Sequence, residues 1–163
     1  MREALFRGKD NFSGDWYFGN LLSDTDAVSI ITDGRDNGIH VYVKRGYNVM
    51  PESVGEYTGE KDINKKMIFE GDIAKYLCTF GYYVVGIVKF GKYQQDASGG
   101  EYEGTWCKGF YIDWIRALSN SVYGDYTHEF IKTTSVIDQS IDRLEVIGNS
   151  FENPDLLIDS LND

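Results

Sequence analysis

The stretch Val54–Phe90 constrains the fold of this chain more than any other part of it. It begins with a short run of strand-forming residues at Val54–Thr58 and continues through the polar segment Gly59–Lys66. An apolar step, Met67–Phe69, then leads into Glu70-Gly71-Asp72 and a series of alternating apolar residues. Glycine adopts positive φ without steric cost, and an aspartate side chain accepts hydrogen bonds from backbone amides in a turn. The stretch therefore predicts a strand, an exposed turn and a Gly-Asp turn of the kind that opens the sheet of a small β-barrel.

Turn-forming residues divide the segment before this stretch into two hairpins. The first is predicted from Asn11-Phe12-Ser13-Gly14, which separates Ala4–Arg7 from Asp15–Leu21. In the second, the segment Asp33–Gly38 contains Asp-Gly and Asn-Gly pairs, which are strong hairpin signals. Its flanking strands are predicted at Ala27–Thr32 and Ile39–Lys44.

The chain after residue 72 is expected to continue as strands. These are predicted at Ile73–Leu77, Tyr82–Phe90, Lys108–Ile115 and Leu144–Ile147. Gly86 suits a bulge or a sharp bend, and the polar, glycine-rich Gly91–Thr105 is expected to be an exposed loop. The segment Asn120–Ser140 is ambiguous. A short helix is predicted at Pro154, with Asn153 as its N-cap and Asp155 in its first turn.

The length of 163 residues suits one compact unit, with a soft boundary at Pro51 between regions 1–50 and 51–163. Cys78 and Cys107 belong to no spaced motif, so free thiols and a reducing cytosol are expected. No apolar run has the length of a signal peptide core or a membrane span. A soluble cytoplasmic protein without a membrane partner is therefore expected.

The negative charge is concentrated near the end of the chain. The net charge is −10, and residues 101–163 carry 12 acidic and 4 basic residues, which is −8 of that total. Affinity for nucleic acid comes mostly from Lys and Arg, so the charge argues against a nucleic-acid partner. The acidic residues either keep the protein soluble, which is the simpler explanation, or form a functional surface.

Motifs for catalysis, cofactor binding or metal binding are not found in the sequence. His40 and His128 do not combine with the two cysteines at zinc-ligand spacing, and no nucleophile elbow or phosphate-binding loop is present. Carboxylate pairs such as Glu101 with Glu103 or Asp138 with Asp142 are expected by chance among 26 acidic residues. We therefore expect no enzyme activity, cofactor or metal.

Aromatic residues provide the remaining functional signal. Trp16, Trp106, Trp114, Tyr102, Tyr111 and Tyr123 exceed what one small core must hold. Rings such as Tyr111 and Trp114 are expected to fill the core, whereas Trp106 and Tyr102, beside the predicted loop, are expected to be exposed. Aromatic side chains anchor protein interfaces, and acidic rims steer partners. The predicted contact surface consists of Tyr102, Trp106, Glu101, Glu103 and Asp125.

Three segments resemble the YopX family of phage and prophage proteins. They are Met1–Gly19, Val54–Ile73 and Glu145–Leu157, and they occur in this order across nearly the whole chain. The sequence departs from the family at Lys65, where a turn glycine is common after asparagine. Asn64 is therefore expected to take the left-handed conformation.

The resemblance implies a mostly β fold, with N-terminal hairpins followed by an SH3-type small barrel and a short C-terminal helix. It also implies a phage protein in the bacterial host cytoplasm, and it carries over no catalytic residues. SH3-type barrels bind peptides or proteins through aromatic surfaces. We therefore expect a non-enzymatic protein-binding module whose partner is a phage or host protein, and homo-oligomer formation stays open. The alternatives are a nucleic-acid-binding module and an acidic decoy of a host nucleic-acid-binding protein.

Overall fold

The structure of the protein is a computed structural model, and it describes residues 5–36, 41–77, 81, 83–95, 105–118, 135–136 and 141–158. The described chain is mostly β, and its helical parts are 3₁₀ turns of three or four residues. The strands are β1 (Phe6–Lys9), β2 (Trp16–Ser23), β3 (Val28–Asp36), β4 (Val41–Asn48), β5 (Gly55–Lys61), β6 (Met67–Phe69), β7 (Asp72–Leu77), β8 (Tyr83–Gln95), β9 (Thr105–Leu118), β10 (Ser135–Val136) and β11 (Leu144–Asn149). The expected mostly β class is confirmed.

The chain divides into two compact units, Met1–Tyr57 and Thr58–Asp163. The division falls within β5, a few residues after the predicted soft boundary at Pro51. In the first unit the strands lie in the order β4-β3-β2-β1, and β1 pairs with the beginning of β5. The second unit contains the end of β5, next to β6, and a five-stranded sheet in the order β10-β9-β8-β7-β11.

The first unit contains both predicted hairpins. β1 and β2 pair antiparallel from Phe6 opposite Gly19 to Lys9 opposite Trp16. β3 and β4 also pair, but β3 continues through residues 33–36, which were predicted to be part of the turn. The pairing continues because register shifts beside Asp33 absorb the irregularity. The end of the second hairpin, residues 37–40, lies outside the described residues.

The five-stranded sheet of the second unit holds a hydrophobic core on one face. The core residues alternate along their strands with residues of the other face. They are Ala74, Val84, Val88, Ile112, Trp114, Leu144 and Val146, and Ile68 of β6 belongs to the same core cluster. Gly86 faces Trp114 across a register shift, so Ile115 is the extra residue of a bulge in β9. A Cβ on Gly86 would lie 2.6 Å from the carbonyl oxygen of Asp113, which explains why glycine is needed there.

Three expectations from the sequence need correction. Neither sheet of the described residues closes, so the SH3-type barrel is not confirmed. The predicted C-terminal helix is a 3₁₀ turn at Pro154–Leu157, and Asn153 makes no side-chain cap, because its Oδ1 instead accepts a hydrogen bond from the amide of Asn149. The predicted loop Gly91–Thr105 is strand at both ends, because β8 continues to Gln95 and β9 begins at Thr105.

The turn between β5 and β6 also differs from expectation in one residue. Lys65, rather than Asn64, has the positive φ, at 65°. The amide of Asn64 instead donates a hydrogen bond to Oδ1 of Asp62 at 2.8 Å, which fixes Asn64 in the preceding position of the turn. The lysine therefore occupies the left-handed position where the family commonly has glycine.

Candidate binding surface

The hairpin of β8 and β9 continues beyond the core of the second unit. Val88 lies opposite Ile112, and both are fully buried. Residues directly opposite on antiparallel strands share a face, and so do residues two apart on one strand. The core face therefore continues through the next three cross-strand pairs. We name these residues the hairpin-end face: Phe90 with Phe110, Lys92 with Lys108, and Gln94 with Trp106.

The aromatic residues of the hairpin-end face become more exposed away from the core. Phe110 packs against the core cluster, whereas Phe90 is 46% exposed and Trp106 is 70% exposed. The rings of Phe90 and Phe110 meet edge to face with 5.0 Å between centroids. This contact orders the inner part of the face and leaves the indole of Trp106 accessible at its outer end.

Two lysines supply the charge of the hairpin-end face. Lys92 and Lys108 are exposed and lie opposite each other in the register. The ammonium of Lys108 lies 5.7 Å from the centroid of Phe90, within the range of a cation–π contact. Lys92, Lys108, Trp106 and Cys107 line an open groove of about 420 Å³. The groove therefore combines an aromatic surface with two positive charges.

The side chains on the other face of the same hairpin pack against each other and stabilise the strand pair. Tyr93 is 8% exposed, and its ring stacks on Tyr111 with 5.3 Å between centroids. Lys89 forms an ion pair with Asp113 on the same face. These contacts hold the end of the hairpin in place, so the exposed residues opposite them stand on a regular strand pair.

The structure places one of the predicted contact residues in this surface. Trp106 is exposed as expected, and it lies on β9, which begins one residue earlier at Thr105. Tyr102, Glu101, Glu103 and Asp125 lie outside the described residues, so the predicted acidic rim stays a prediction. Sequence reasoning missed Phe90, Lys92 and Lys108. The alternation of Phe90, Lys92 and Gln94 is the sequence signal for a longer strand, but the polar, glycine-rich composition of Gly91–Thr105 favours a loop.

The buried carboxylates of the described residues accept hydrogen bonds from backbone amides. Asp62 and Asp72 are 2% and 1% exposed, and each accepts hydrogen bonds from backbone amides. The amides of Ser13 and then Phe12 donate to Asp10, and they lower the pKa of this carboxyl below its ordinary value despite its burial. These hydrogen bonds show that the three aspartates stabilise turns and local backbone structure. They do not form a reactive cluster.

Tyr17 and Cys107 carry two further groups with potential reactivity. Burial raises the pKa of the Tyr17 hydroxyl, whose ring stacks on Tyr47 with 3.5 Å between centroids. Cys107 is half-buried and forms no disulfide, whereas Cys78, His40 and His128 lie outside the described residues. Within the described ranges, no cluster of three or more histidine, cysteine, aspartate or glutamate residues could hold a metal ion, and no helix is long and apolar enough to cross a membrane.

These observations define a mostly β protein with two antiparallel sheets and an exposed aromatic and basic surface on one hairpin. The chain belongs to the YopX protein family, whose sequence profile matches residues 5–158. No curated protein matches it. Among solved structures, the protein EF1440 from Enterococcus faecalis is similar, with 21% sequence identity and a TM-score of 0.50. The similarity covers 97% of this chain and 100% of that one, and it concerns the fold.

Proposed function

We propose that this protein is a non-enzymatic module that binds another protein through the hairpin-end face. The observation that carries the proposal is the 70% exposure of Trp106 on a regular strand, beside a groove of about 420 Å³. A large exposed ring is costly in water, and interface hot spots are enriched in tryptophan. Because Trp106 stands on a regular strand pair, less conformational entropy is lost when a partner binds.

The resemblance to phage and prophage proteins supports a more specific setting. We propose that the protein is a phage accessory protein that acts in the cytoplasm of a bacterial host. The buried carboxylates Asp62 and Asp72 are engaged by backbone amides, and this supports a role in binding over a role in catalysis.

Affinity capture tests the proposal. The purified protein is immobilised and exposed to a lysate of Enterococcus faecalis, the source of the similar solved structure, and bound proteins are identified by mass spectrometry. Trp106→Ala is compared with Phe12→Ala, which removes another ring, 91% exposed, from the first unit. The control therefore reduces exposed aromatic surface without changing the hairpin-end face.

The expected result is a bound protein that the wild type and Phe12→Ala retain and Trp106→Ala loses. Truncation of a hot-spot tryptophan weakens binding by about 2 kcal/mol or more, or roughly thirtyfold. Equal recovery of the bound protein by the wild type and both variants would show that the hairpin-end face does not contact the partner.

A nucleic-acid-binding function is the second candidate, and the pair Lys92 and Lys108 next to Trp106 favours it. Single-stranded nucleic acid stacks bases on aromatic rings along a basic groove. Titration of the protein with single-stranded DNA at low salt tests this candidate. Binding that weakens steeply as salt rises, and that Trp106→Ala abolishes, would support it.

A further inference from the structure

We infer that the occupant of the hairpin-end face is an extended, acidic segment of a partner protein that carries a large apolar side chain. This inference rests on the proposed protein-binding function and names the chemistry of the partner. The apolar side chain packs on Trp106, and two carboxylates of the segment lie near Lys92 and Lys108. The described part of the surface therefore selects an acidic partner, the opposite of the basic partner that an acidic rim would attract.

The arrangement of the two lysines is the first argument. Lys92 and Lys108 are directly opposite on adjacent strands, where like charges destabilise the pairing. None of the six residues of the face is acidic, and Asp113 lies on the opposite face in an ion pair with Lys89. At the core end of the face, Oε1 of Glu70 accepts a hydrogen bond from the amide of Phe90. A bound carboxylate would offset the repulsion between the two ammonium groups.

The geometry of the groove is the second argument. Trp106 and Lys108 are two residues apart on β9, and Gln94 and Lys92 correspond to them on β8. Side chains two apart on a strand are separated by about 7 Å, so an extended segment of about five residues spans the face. An apolar residue flanked by acidic ones would then contact the ring and the ammonium groups together.

The total charge favours a protein segment over a nucleic acid. The chain carries −10, and a nucleic acid brings one further negative charge with every nucleotide. Two lysines neutralise only about two of those phosphates. An acidic peptide segment brings a small number of charges and needs no more than two positive partners, so the overall repulsion affects it less.

Peptide binding tests the inference directly. An eight-residue, dye-labelled peptide with a central phenylalanine and glutamates on both sides is titrated with the protein, and fluorescence anisotropy is recorded. The same peptide with glutamine in place of each glutamate reports the contribution of charge. Lys92→Glu/Lys108→Glu reverses the charge of the face, and Lys61→Glu/Lys66→Glu makes the same change in net charge at two other exposed lysines.

The glutamate peptide should bind the wild type and the Lys61→Glu/Lys66→Glu control at least about tenfold more tightly than the Lys92→Glu/Lys108→Glu variant. The glutamine peptide should bind more weakly than the glutamate peptide, and this difference should shrink as salt rises. The inference is wrong if the glutamate peptide does not bind, or if charge reversal leaves its affinity unchanged. Tighter binding of oligothymidylate than of the glutamate peptide would also overturn it, and would assign the face to nucleic acid.

The outcome can be separated from that of the proposed function. If Trp106→Ala loses the captured protein but Lys92→Glu/Lys108→Glu retains it, the protein-binding function stands and the acidic partner is wrong. If neither variant changes capture, while the glutamate peptide still binds through the lysines, the proposed function fails and the acidic site remains.

Discussion

The carboxylate of Asp62 accepts a hydrogen bond from the backbone amide of Val146, at 3.0 Å and across 84 residues of sequence. The other carboxylate oxygen accepts from the amides of Asn64 and Lys66, at 2.8 and 2.9 Å. The amide of Ile63 donates to a carbonyl of the same strand, β11, at 2.9 Å. One buried side chain therefore shapes the turn between β5 and β6 and fastens that turn to β11.

Asp62→Ala should destabilise the protein by about 3 kcal/mol, because three amides lose a charged acceptor and the site is buried. Asp62→Asn should cost less, since its amide oxygen can still accept from one side. Urea denaturation measures both variants. Asp155→Ala, at an exposed position, is the control and should stay within about 0.5 kcal/mol of wild type. A stability of Asp62→Ala equal to that of the control would contradict this role.

Gly71 should not tolerate a β-branched residue. Its φ is +82°, so Gly71→Val should cost more than about 1 kcal/mol. Oδ2 of the neighbouring Asp72 accepts from the amide of Phe69 at 2.8 Å, and Asp72→Ala should cost about 0.5–2 kcal/mol by analogy with helix N-caps. Gly91→Val is the control, because the nearest atom to its Cβ would lie 3.7 Å away. Unchanged denaturation midpoints for Gly71→Val and Asp72→Ala would refute the importance of this turn.

Lys65→Gly should stabilise the protein. A residue with a Cβ at a left-handed φ is strained by about 1–2 kcal/mol, and glycine removes that strain while costing about 0.5–1 kcal/mol of chain entropy. A net gain of about 0.5–1 kcal/mol is expected in urea denaturation. Lys66→Gly, at a neighbour without positive φ, should instead lose stability. Equal losses in both variants would mean that Lys65 is not strained.

Local chemistry explains which features the sequence predicted correctly. The positive φ of Gly71 and the hydrogen bond of Asp72 follow from residues within three positions of each other. The first hairpin is similar, because Oδ1 of Asp10 and the positive φ of Gly14 close its turn. Gly86 marked the position of a bulge, although the extra residue is Ile115 on the partner strand. Short-range signals were therefore sufficient for these two turns and for the position of the bulge.

Long-range partners explain what the sequence could not predict. From the sequence, Asp62 is indistinguishable from any aspartate in a turn, because its hydrogen bond with the amide of Val146 is visible only in the folded structure. The Gly91 region was predicted to be a loop because its own composition is polar, but cross-strand pairing with β9 extends β8 to Gln95. For the same reason Lys92 and Lys108 could not be recognised as neighbours. The candidate surface was therefore predictable only through Trp106.

Acid should weaken the first hairpin through Asp10. Backbone hydrogen bonds lower the pKa of this carboxyl in the folded protein below its ordinary value of 3.8. The contribution of the Asp10 carboxylate to the free energy of unfolding is therefore complete above that ordinary value. The contribution is lost as pH falls through the lowered, folded-state pKa. Asp10→Asn should therefore be less stable than wild type at pH 7, and the two should converge on acidification. Ser53→Ala removes a hydroxyl that bonds only backbone groups and no titrating group, so it should lower stability by the same amount at pH 7 and at acidic pH. A constant difference between wild type and Asp10→Asn would contradict the linkage.

Trp106 and Trp114 should behave in opposite ways when they are replaced. Trp106 is 70% exposed and Trp114 is 3% exposed. Trp106→Ala should therefore change the free energy of unfolding by no more than about 0.5 kcal/mol, whereas Trp114→Ala should cost about 3–5 kcal/mol because it empties the core.

Iodide quenching of fluorescence separates these two tryptophans without any binding partner. Iodide should quench a large part of the wild-type emission, Trp106→Phe should remove most of the quenchable part, and Trp114→Phe should leave it intact. If Trp106→Ala instead unfolds the protein, or if Trp106→Phe does not reduce quenching, the indole is a structural residue and is not available to a partner. Trp106 lies on a strand at the outer end of the β8–β9 hairpin. This position requires that Trp106→Ala folds stably and that Trp106→Phe loses the quenchable emission.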